Sequence, residues 1–308
     1  MTSIPRSNAG SSAGRRAAPR VKLAFYVCLL VGPALLDVVV FRWFPLLVAM
    51  YRSLYQSILL DPLGGKFVGL AQYSTLLSDA QFYGSLRTTL VYGLMRIPTT
   101  VLLGFVLALL VNRKIRGIAI ARTAIFLPAV TSIAVMSVVW NLMYQPEYGI
   151  LNSILNFVGI PSQQFTADPQ QALASVAAVA VWQNVGFVVI VFLGSLQGIP
   201  GMYYEAARID GAGYFASLRD ITIPLLRRTF MYLTVVTTIF AFLDFAPIYV
   251  MTQGGPIHST FTMIYYIFET AFQNQDVGYA NTLTVAFFVL LMALAAVQVR
   301  VMRSEFEY

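Results

Sequence analysis

The chain alternates long apolar runs with shorter polar segments. Six of the runs approach the roughly 20 residues that a helix needs to cross the ~30 Å hydrocarbon layer of a membrane. Lipid offers no partner for an unpaired backbone group, so each run is predicted to be an α-helix. The predicted spans lie near residues 23–44, 88–111, 119–143, 173–196, 229–250 and 281–302.

The composition agrees with a membrane bundle. Of 308 residues, 58% are hydrophobic and only 11% are charged, whereas about 25% of the residues in a soluble domain are charged. Residues 1–22 are rich in Ser, Ala, Gly and Arg and are predicted to be a mobile cytoplasmic tail. Residues 23–308 are predicted to form one all-α membrane domain, because no long polar segment divides them. No small-x-small cleavage site follows the first run, which favours a retained span over a signal peptide.

The basic residues are distributed unevenly between the loops. The predicted loops 144–172 and 251–280 contain no Lys or Arg. The tail, the loops after spans two and four, and the C-terminus carry most of the positive charge, whereas Arg52 and Lys66 are exceptions on the other side. By the positive-inside rule, both termini are predicted to be cytoplasmic. The net charge of +7 is scattered among these loops, so it does not indicate a nucleic-acid partner.

The sequence offers little for catalysis or for metal binding. Cys28 and His258 are the only residues of their types, so neither an internal disulfide nor a Cys/His metal cluster is expected. The chain shows no paired carboxylates and no Ser/His arrangement typical of an enzyme. No cofactor is predicted.

The most informative segment is the loop 198–224, between the fourth and fifth spans. Pro200 suits the first turn of a helix, and the residues from Glu205 to Arg208 favour helix formation. Gly211 and Gly213 permit a sharp turn after it. A helix–turn–helix across the ends of two spans is therefore predicted. The simplest alternative is an amphipathic helix that rests on the lipid surface.

The spacing in this loop resembles a known motif. Glu205-Ala206-Ala207, then Gly211, then Ile221-x-Ile223-Pro224, is similar to the "EAA" loop of bacterial ABC importer permeases, with Ile223 where the family usually has Leu. Further similar segments point to the carbohydrate-type branch, which includes maltose, trehalose and glycerol-3-phosphate importers. They are 68–73, 121–128, 196–200 and 248–256.

This resemblance implies a type I permease fold with six transmembrane helices and a cytoplasmic coupling helix between helices four and five. It also implies a second permease subunit, expected to be a different chain, two ATP-binding subunits, an extracytoplasmic binding protein and a sugar-like solute in a prokaryotic plasma membrane. Nucleotide hydrolysis would belong to the partner, because Gly64-Gly65-Lys66 lacks the rest of a phosphate-binding loop. The residues implied for ATPase coupling are Glu205, Ala206, Ala207, Asp210, Gly211 and Pro224.

Polar residues inside the predicted spans are candidates for the solute path, because such residues are costly in lipid. Amides beside indole rings suit a sugar, which stacks on aromatic faces and hydrogen-bonds through its hydroxyls. The alternative is hydrogen bonding between helices. A proton-coupled transporter that uses Asp244 and Arg96 is a rival hypothesis, and Asp37 is expected to pair locally with Arg42. The candidates for the solute path are Asn141, Trp182, Gln183, Asn184 and Asp244.

Overall fold

A computed structural model describes residues 29–61, 64–113 and 115–302 of the chain. The described residues are mainly helical, with one pair of two-residue antiparallel strands. In chain order the elements are α1 (Leu29–Arg52), β1 (Tyr55–Gln56), β2 (Lys66–Phe67), α2 (Ala71–Ser78), α3 (Ala80–Val111), α4 (Ile118–Phe126), α5 (Ile133–Met143), α6 (Ile150–Phe157), α7 (Ala172–Gln197), α8 (Gly201–Ile209), α9 (Tyr214–Ser217), α10 (Arg227–Phe242), α11 (Ala246–Met251), α12 (Met263–Phe268) and α13 (Val277–Met302).

The chain divides into two compact units, Met1–Arg52 and Ser53–Tyr308. The tail predicted for residues 1–22 lies outside the described residues and stays a prediction. In the first unit, α1 continues past the predicted end at residue 44, through a π turn at Val39–Trp43 that directly precedes Phe44-Pro45. A π turn is a local irregularity inside an α-helix, and here it directly precedes a proline, whose missing N–H also interrupts the helical hydrogen-bond ladder.

The expected pairing of Asp37 with Arg42 is wrong. Both side chains are exposed, and the structure, which describes both residues, shows no ion pair between them. Residues five apart on a helix do not share a face, whereas residues three or four apart do.

Three predicted spans of the second unit agree closely with single helices. The predicted spans 173–196 and 281–302 correspond to α7 and α13, and the predicted span 88–111 corresponds to α3. α3 begins earlier than predicted, because the side chain of Asp79 caps it by accepting the Gln81 N–H at 2.8 Å. A side-chain oxygen at this position satisfies a donor of the first turn, which would otherwise be unpaired.

The third predicted span, 119–143, is not one continuous helix. α4 leads into a 3₁₀ turn at Leu127–Val130, and α5 then departs at 101°. Thr131 and Ser132 between them are extended. Pro128 lies in the turn and has no N–H to donate to an α-helical ladder. With α10 and α11 counted together as one helix (Arg227–Met251), the described residues hold five helices long and apolar enough to cross a membrane, and six if the bent pair is one span.

Contacts at both of its ends indicate that the bent pair is one span. At its start, Arg122 Nη2 donates to the carbonyl of Val111, the last residue of α3, at 2.8 Å. At its end, Tyr144 Oη donates to the carbonyl of Ser175, in the first turn of α7, at 3.3 Å. Two observations show that α3 and α7 run parallel. Phe105 contacts Phe192, and residues near the C-terminal ends of both helices line one cavity. The pair therefore connects the two ends of the bundle, which supports six spans.

The fifth predicted span, 229–250, is also interrupted. α10 ends at Phe242, and α11 starts at Ala246. Pro247 has no N–H for the carbonyl four residues earlier, so the helix breaks before it. Leu243, Asp244 and Phe245 lie in the gap.

Close contacts between the helices form the buried core of the second unit. A Cβ added at Gly104 would collide with Val188, and one added at Gly93 would lie 2.8 Å from Phe242 Cε2. Small residues let membrane helices approach in this way. Close packing matters in lipid, because no hydrophobic effect drives the helices together there. Two groups of buried apolar side chains result, one including Tyr92 and Phe242 and the other Val188 and Phe192.

A hydrogen-bonded cluster closes the end of the unit where α3 and α13 begin. Tyr266 and Tyr279 each donate from Oη to Asp79 Oδ2 at 2.6 Å. Burial raises the pKa of the Asp79 carboxyl, but the hydrogen bonds from the two tyrosines and from backbone N–H groups outweigh it, and the net pKa is lowered. This cluster joins elements that are far apart in the sequence.

Candidate functional site

The loop 198–224 folds as two short helices joined by a turn, as its sequence predicts. After α8, Gly211 adopts a left-handed backbone conformation with φ +79°. The N–H of Gly211 donates to the carbonyl of Arg208 at 3.2 Å, and the N–H of Ala212 donates to that of Ala207 at 2.8 Å. These two bonds form a Schellman motif, the usual way to end a helix on a glycine. A side chain at Gly211 would be strained by the backbone angle.

Two details of the loop differ from the prediction. Pro200 is the extended residue that precedes α8 and does not lie in its first turn. Gly213 has φ −75°, a value that other residues also adopt, so Gly211 alone supplies the left-handed turn. A bond of 3.0 Å between the hydroxyls of Tyr204 and Thr222 joins the two halves of the loop.

The loop presents a mixed surface outward. Glu205, Ala206 and Asp210 are exposed and Ala207 is half-buried. Beside them, Ile209 is 87% exposed and Phe215 is 81% exposed. The sequence predicts the motif as part of the site, but these two side chains were not among the predicted site residues. Their signal was available, since a polar loop between two spans has little other reason to hold large apolar residues.

A buried ion pair lies at the break of the fifth span. Arg96 Nη1 donates to Asp244 Oδ2 at 2.6 Å, and the side chains are only 4% and 13% exposed. Tyr92 Oη donates to the same oxygen at 2.6 Å, and Arg96 Nη1 also donates to the carbonyl of Phe240 at 3.1 Å. Both charges thus have close partners, which their burial requires. Tyr92 was not predicted, although it precedes Arg96 by four residues and so shares its helix face.

A polar cavity of about 450 Å³ opens beside this pair. Gln183 and Asn184 line it with Arg96 and Asp244, and so does Thr131 at the break of the third span. Gln183 Nε2 donates to the carbonyl of Thr131 at 2.9 Å, and Asn184 Nδ2 donates to that of Ala180 at 2.9 Å. The structure therefore brings together three of the five predicted solute-path residues, at the point where two spans are broken.

The other two candidates lie elsewhere. Trp182 lines a separate, mainly apolar cavity of about 750 Å³ with residues such as Met95 and Leu103. Its ring centroid lies 5.3 Å from that of Trp140. Asn141 is half-buried and lines neither cavity. Successive residues of a helix point in different directions, which explains why Trp182 and Gln183 face different cavities.

Metal binding has no support in the described ranges, where no group of three or more His, Cys, Asp or Glu side chains is placed to hold an ion. His258 contacts Phe261 with a ring-centroid distance of 4.8 Å.

Comparison with solved structures confirms the predicted fold. A bacterial ABC transporter involved in the import of the acidic polysaccharide alginate superposes with a TM-score of 0.81 at 19% identity. The match covers 95% of this chain and 100% of that one. At this identity, the likeness is evidence for the fold alone.

Comparison with known sequences identifies the family. The family described as "binding-protein-dependent transport system inner membrane component" matches residues 100–304. The sn-glycerol-3-phosphate transport system permease protein of Agrobacterium fabrum is 34% identical, over 91% of this chain and 95% of that protein. The trehalose/maltose transport system permease protein of Thermococcus litoralis is 30% identical, over 89% and 92%.

These matches confirm the predicted resemblance and the predicted role as a transport subunit that is not itself an enzyme. They also decide against the proton-coupled alternative, since the family depends on a binding protein. The chain belongs to the inner membrane components of binding-protein-dependent transport systems, which are the permease subunits of ABC importers.

Proposed function

We propose that this permease forms half of the membrane pathway for a sugar or sugar-like solute, and that a separate ATPase drives it through the loop 198–224. Three relatives are named for transport of sn-glycerol-3-phosphate, of trehalose and maltose, and of sulfoquinovosyl glycerol, all of which are rich in hydroxyl groups. The observation that carries the proposal is the pair of exposed apolar side chains, Ile209 and Phe215, on an ordered loop.

The loop has the properties of a mechanical contact. The Schellman motif at Gly211 and the bond between Tyr204 and Thr222 hold its two halves together. Pro224, in the turn Ile223–Leu225, leads directly towards α10. A push on the loop would therefore reach the fifth span. We propose that Glu205, Ala206, Ala207, Asp210 and Gly211 meet the ATPase, with Ile209 and Phe215 as the apolar anchors of the contact.

Substitution of the two anchors tests this contact. Ile209→Ser together with Phe215→Ser should reduce capture of the ATPase from membranes at least tenfold, because buried apolar side chains dominate most protein interfaces. Insertion should be unchanged, since both side chains are exposed. Phe157→Ser is the matched control, because Phe157, the last residue of α6, is 91% exposed and lies outside the loop 198–224. Capture at the wild-type level by the double variant would remove the loop from the interface.

The solute is proposed to contact the cavity at the two broken spans. Arg96 and Asp244 offset each other's charge, so the hydrogen-bonding groups of Gln183 and Asn184 dominate the rest of its polar lining. Amide groups both donate to and accept from hydroxyls. Extended backbone at a broken helix is tolerated in a membrane where it lines a cavity. We propose that Gln183, Asn184 and Asp244 meet the solute here, and that Trp182 and Asn141 lie farther along the path.

Uptake measurements test the cavity. Gln183→Ala and Asn184→Ala should each lower uptake of the transported solute, with complex assembly unchanged. Asn156→Ala is the matched control, because within the described part of the chain the exposed side-chain amide of Asn156 bonds only to Ser162. Normal uptake by both cavity variants would return these amides to a packing role, whereas loss of assembly would show a structural one.

The proposed assembly contains a second, different permease chain, two ATP-binding subunits and an extracytoplasmic binding protein. Both termini of this chain are proposed to be cytoplasmic. A cysteine placed at Ser162 or Gln275, both exposed, should then react with an impermeant reagent added to intact cells. Reaction only after permeabilisation would contradict this orientation.

A further inference from the structure

A second polar cavity lies behind the loop 198–224, where the loop meets the ends of two membrane helices. Its volume is about 580 Å³, within the range of small-molecule sites. The end of α3, the end of α7 and both halves of the loop bound it. Its lining includes Leu109, Arg113, Leu196, Arg208, Tyr214 and Leu218.

The charge of this cavity is one-sided. Arg113 and Arg208 line it, and no described Asp or Glu does. Neither arginine takes part in an ion pair among the described residues. Arg208 Nε donates to the carbonyl of Tyr204 at 3.3 Å, which leaves the Nη groups of that guanidinium for another partner. Two arginines that line one space suit the oxygens of a phosphate, which guanidinium groups can bind in bidentate fashion.

The apolar part of the lining narrows the choice of ligand. Leu109 and Leu196 come from the last turns of membrane-spanning helices. A site that joins guanidinium groups to apolar helix ends matches the boundary between a lipid headgroup and its acyl chains. We propose that this cavity binds the phosphate headgroup of an anionic phospholipid. This site is independent of the proposed solute path and of the orientation of the chain in the membrane.

Because the two arginines belong to different parts of the fold, a lipid bound to both would link those parts. Arg113 lies two residues after the C-terminal end of α3, whereas Arg208 belongs to α8 in the loop 198–224. A phosphate held by both would connect the loop to the second span. The proposed lipid site therefore ties the loop to the bundle at a point where the chain itself provides no ion pair in the described residues.

Lipid titration of the full chain tests the proposal. The purified chain in neutral detergent is titrated with dioleoyl phosphatidylglycerol or dioleoyl phosphatidylcholine, and bound lipid is counted by native mass spectrometry. The wild type should prefer phosphatidylglycerol by about 10- to 30-fold, since its headgroup carries a net negative charge, whereas the choline cation of phosphatidylcholine cancels the charge of its phosphate. Arg113→Gln with Arg208→Gln should abolish the preference, and the corresponding double lysine variant should keep part of it. Arg219→Gln is the control, because Arg219 lies on the same loop but does not line the cavity and pairs with Asp220.

Several results would overturn the assignment. Equal binding of the two lipids by the wild type, or an unchanged preference in the double glutamine variant, would show that the cavity does not select lipid charge. Displacement of phosphatidylglycerol by equimolar inorganic phosphate would assign a site for free anions. If the double glutamine variant loses ATPase capture but keeps the lipid preference of the wild type, the two arginines belong to a contact with a protein partner. If the melting temperature of the double glutamine variant is below that of the wild type, the lipid preference of the single Arg113→Gln variant is measured instead. Its fold should be intact, because Arg113 lies after the end of α3 and is exposed, and an unchanged preference in it would overturn the assignment.

Discussion

The buried ion pair in the bundle and the loop 198–224 treat their side chains in opposite ways: the first pairs them with one another, and the second leaves them exposed. At the break of the fifth span, Asp244 receives hydrogen bonds from Arg96 and Tyr92, and Arg96 also reaches the carbonyl of Phe240. The loop 198–224 instead leaves Ile209 and Phe215 largely exposed.

This difference predicts two kinds of mutational effect. Buried groups that depend on one another lose stability when one of them is removed. Exposed residues on an ordered loop can be replaced with little loss of stability, since most surface substitutions change it by less than about 0.5 kcal/mol. Variants of the first region should therefore impair folding, whereas variants of the second should impair contact with a partner.

The largest effect is expected from Asp244→Ala. It leaves the Arg96 guanidinium buried without its counter-charge, which typically costs about 3–5 kcal/mol. The melting temperature of the purified chain in detergent should fall clearly. Arg96→Leu combined with Asp244→Leu should recover most of the loss, because no unpaired charge remains. If the Asp244→Ala variant has the same melting temperature as the wild type, the ion pair does not stabilise this region.

A smaller effect is expected from Asp79→Asn. Asparagine can still cap α3, but it loses the charge that Tyr266 and Tyr279 bind, so we expect a loss of about 1–3 kcal/mol at neutral pH. The folded pKa of Asp79 lies below its unfolded value. Its stabilisation is therefore fully present above the unfolded pKa and is lost as pH falls through the folded one.

The pH dependence supplies the check on this variant. Melting curves of wild type and Asp79→Asn should differ at pH 7 and converge below about pH 4, the region where aspartate titrates. A difference that stays constant across this range would mean that the charge of Asp79 is not what the two tyrosines stabilise.

The smallest effect on stability is expected from Tyr204→Phe in the loop. This variant removes the hydroxyl that bonds to Thr222, and a single such bond contributes about 0.5–1.5 kcal/mol. The global melting temperature should change little, but amide hydrogen exchange in 201–222 should become faster. Unchanged exchange would show that this bond does not hold the two halves of the loop together.

The same two regions show what the sequence can and cannot predict. The structure of the loop depends on local sequence. Its turn is formed by Gly211 and residues within a few positions of Gly211, so the spacing of these residues predicts the turn. The ion pair joins Arg96 and Asp244, which are 148 residues apart. The sequence marks both as unusual within apolar runs, but without tertiary contacts it does not show that they meet.

Breaks within apolar runs were the main error of the span predictions. Hydropathy scales measure the free energy of transferring residues into lipid, so they do not detect a residue that lacks a backbone N–H. Pro128 and Pro247 were the available signals, since each lies at or beside a break. The placement of Trp182 apart from Gln183 and Asn184 has another cause, because the face of each residue depends on how the helix is rotated in the bundle.

The most direct test of the coupling role compares uptake with ATPase capture in Gly211→Pro and Glu205→Lys. Proline cannot adopt φ +79° and removes the N–H that Gly211 donates to Arg208, while Glu205→Lys reverses an exposed charge. At equal permease levels in the membrane, both variants should insert normally and lose ATP-driven uptake, through weaker ATPase capture or through hydrolysis uncoupled from transport. Wild-type uptake in both variants would contradict the coupling role of the loop.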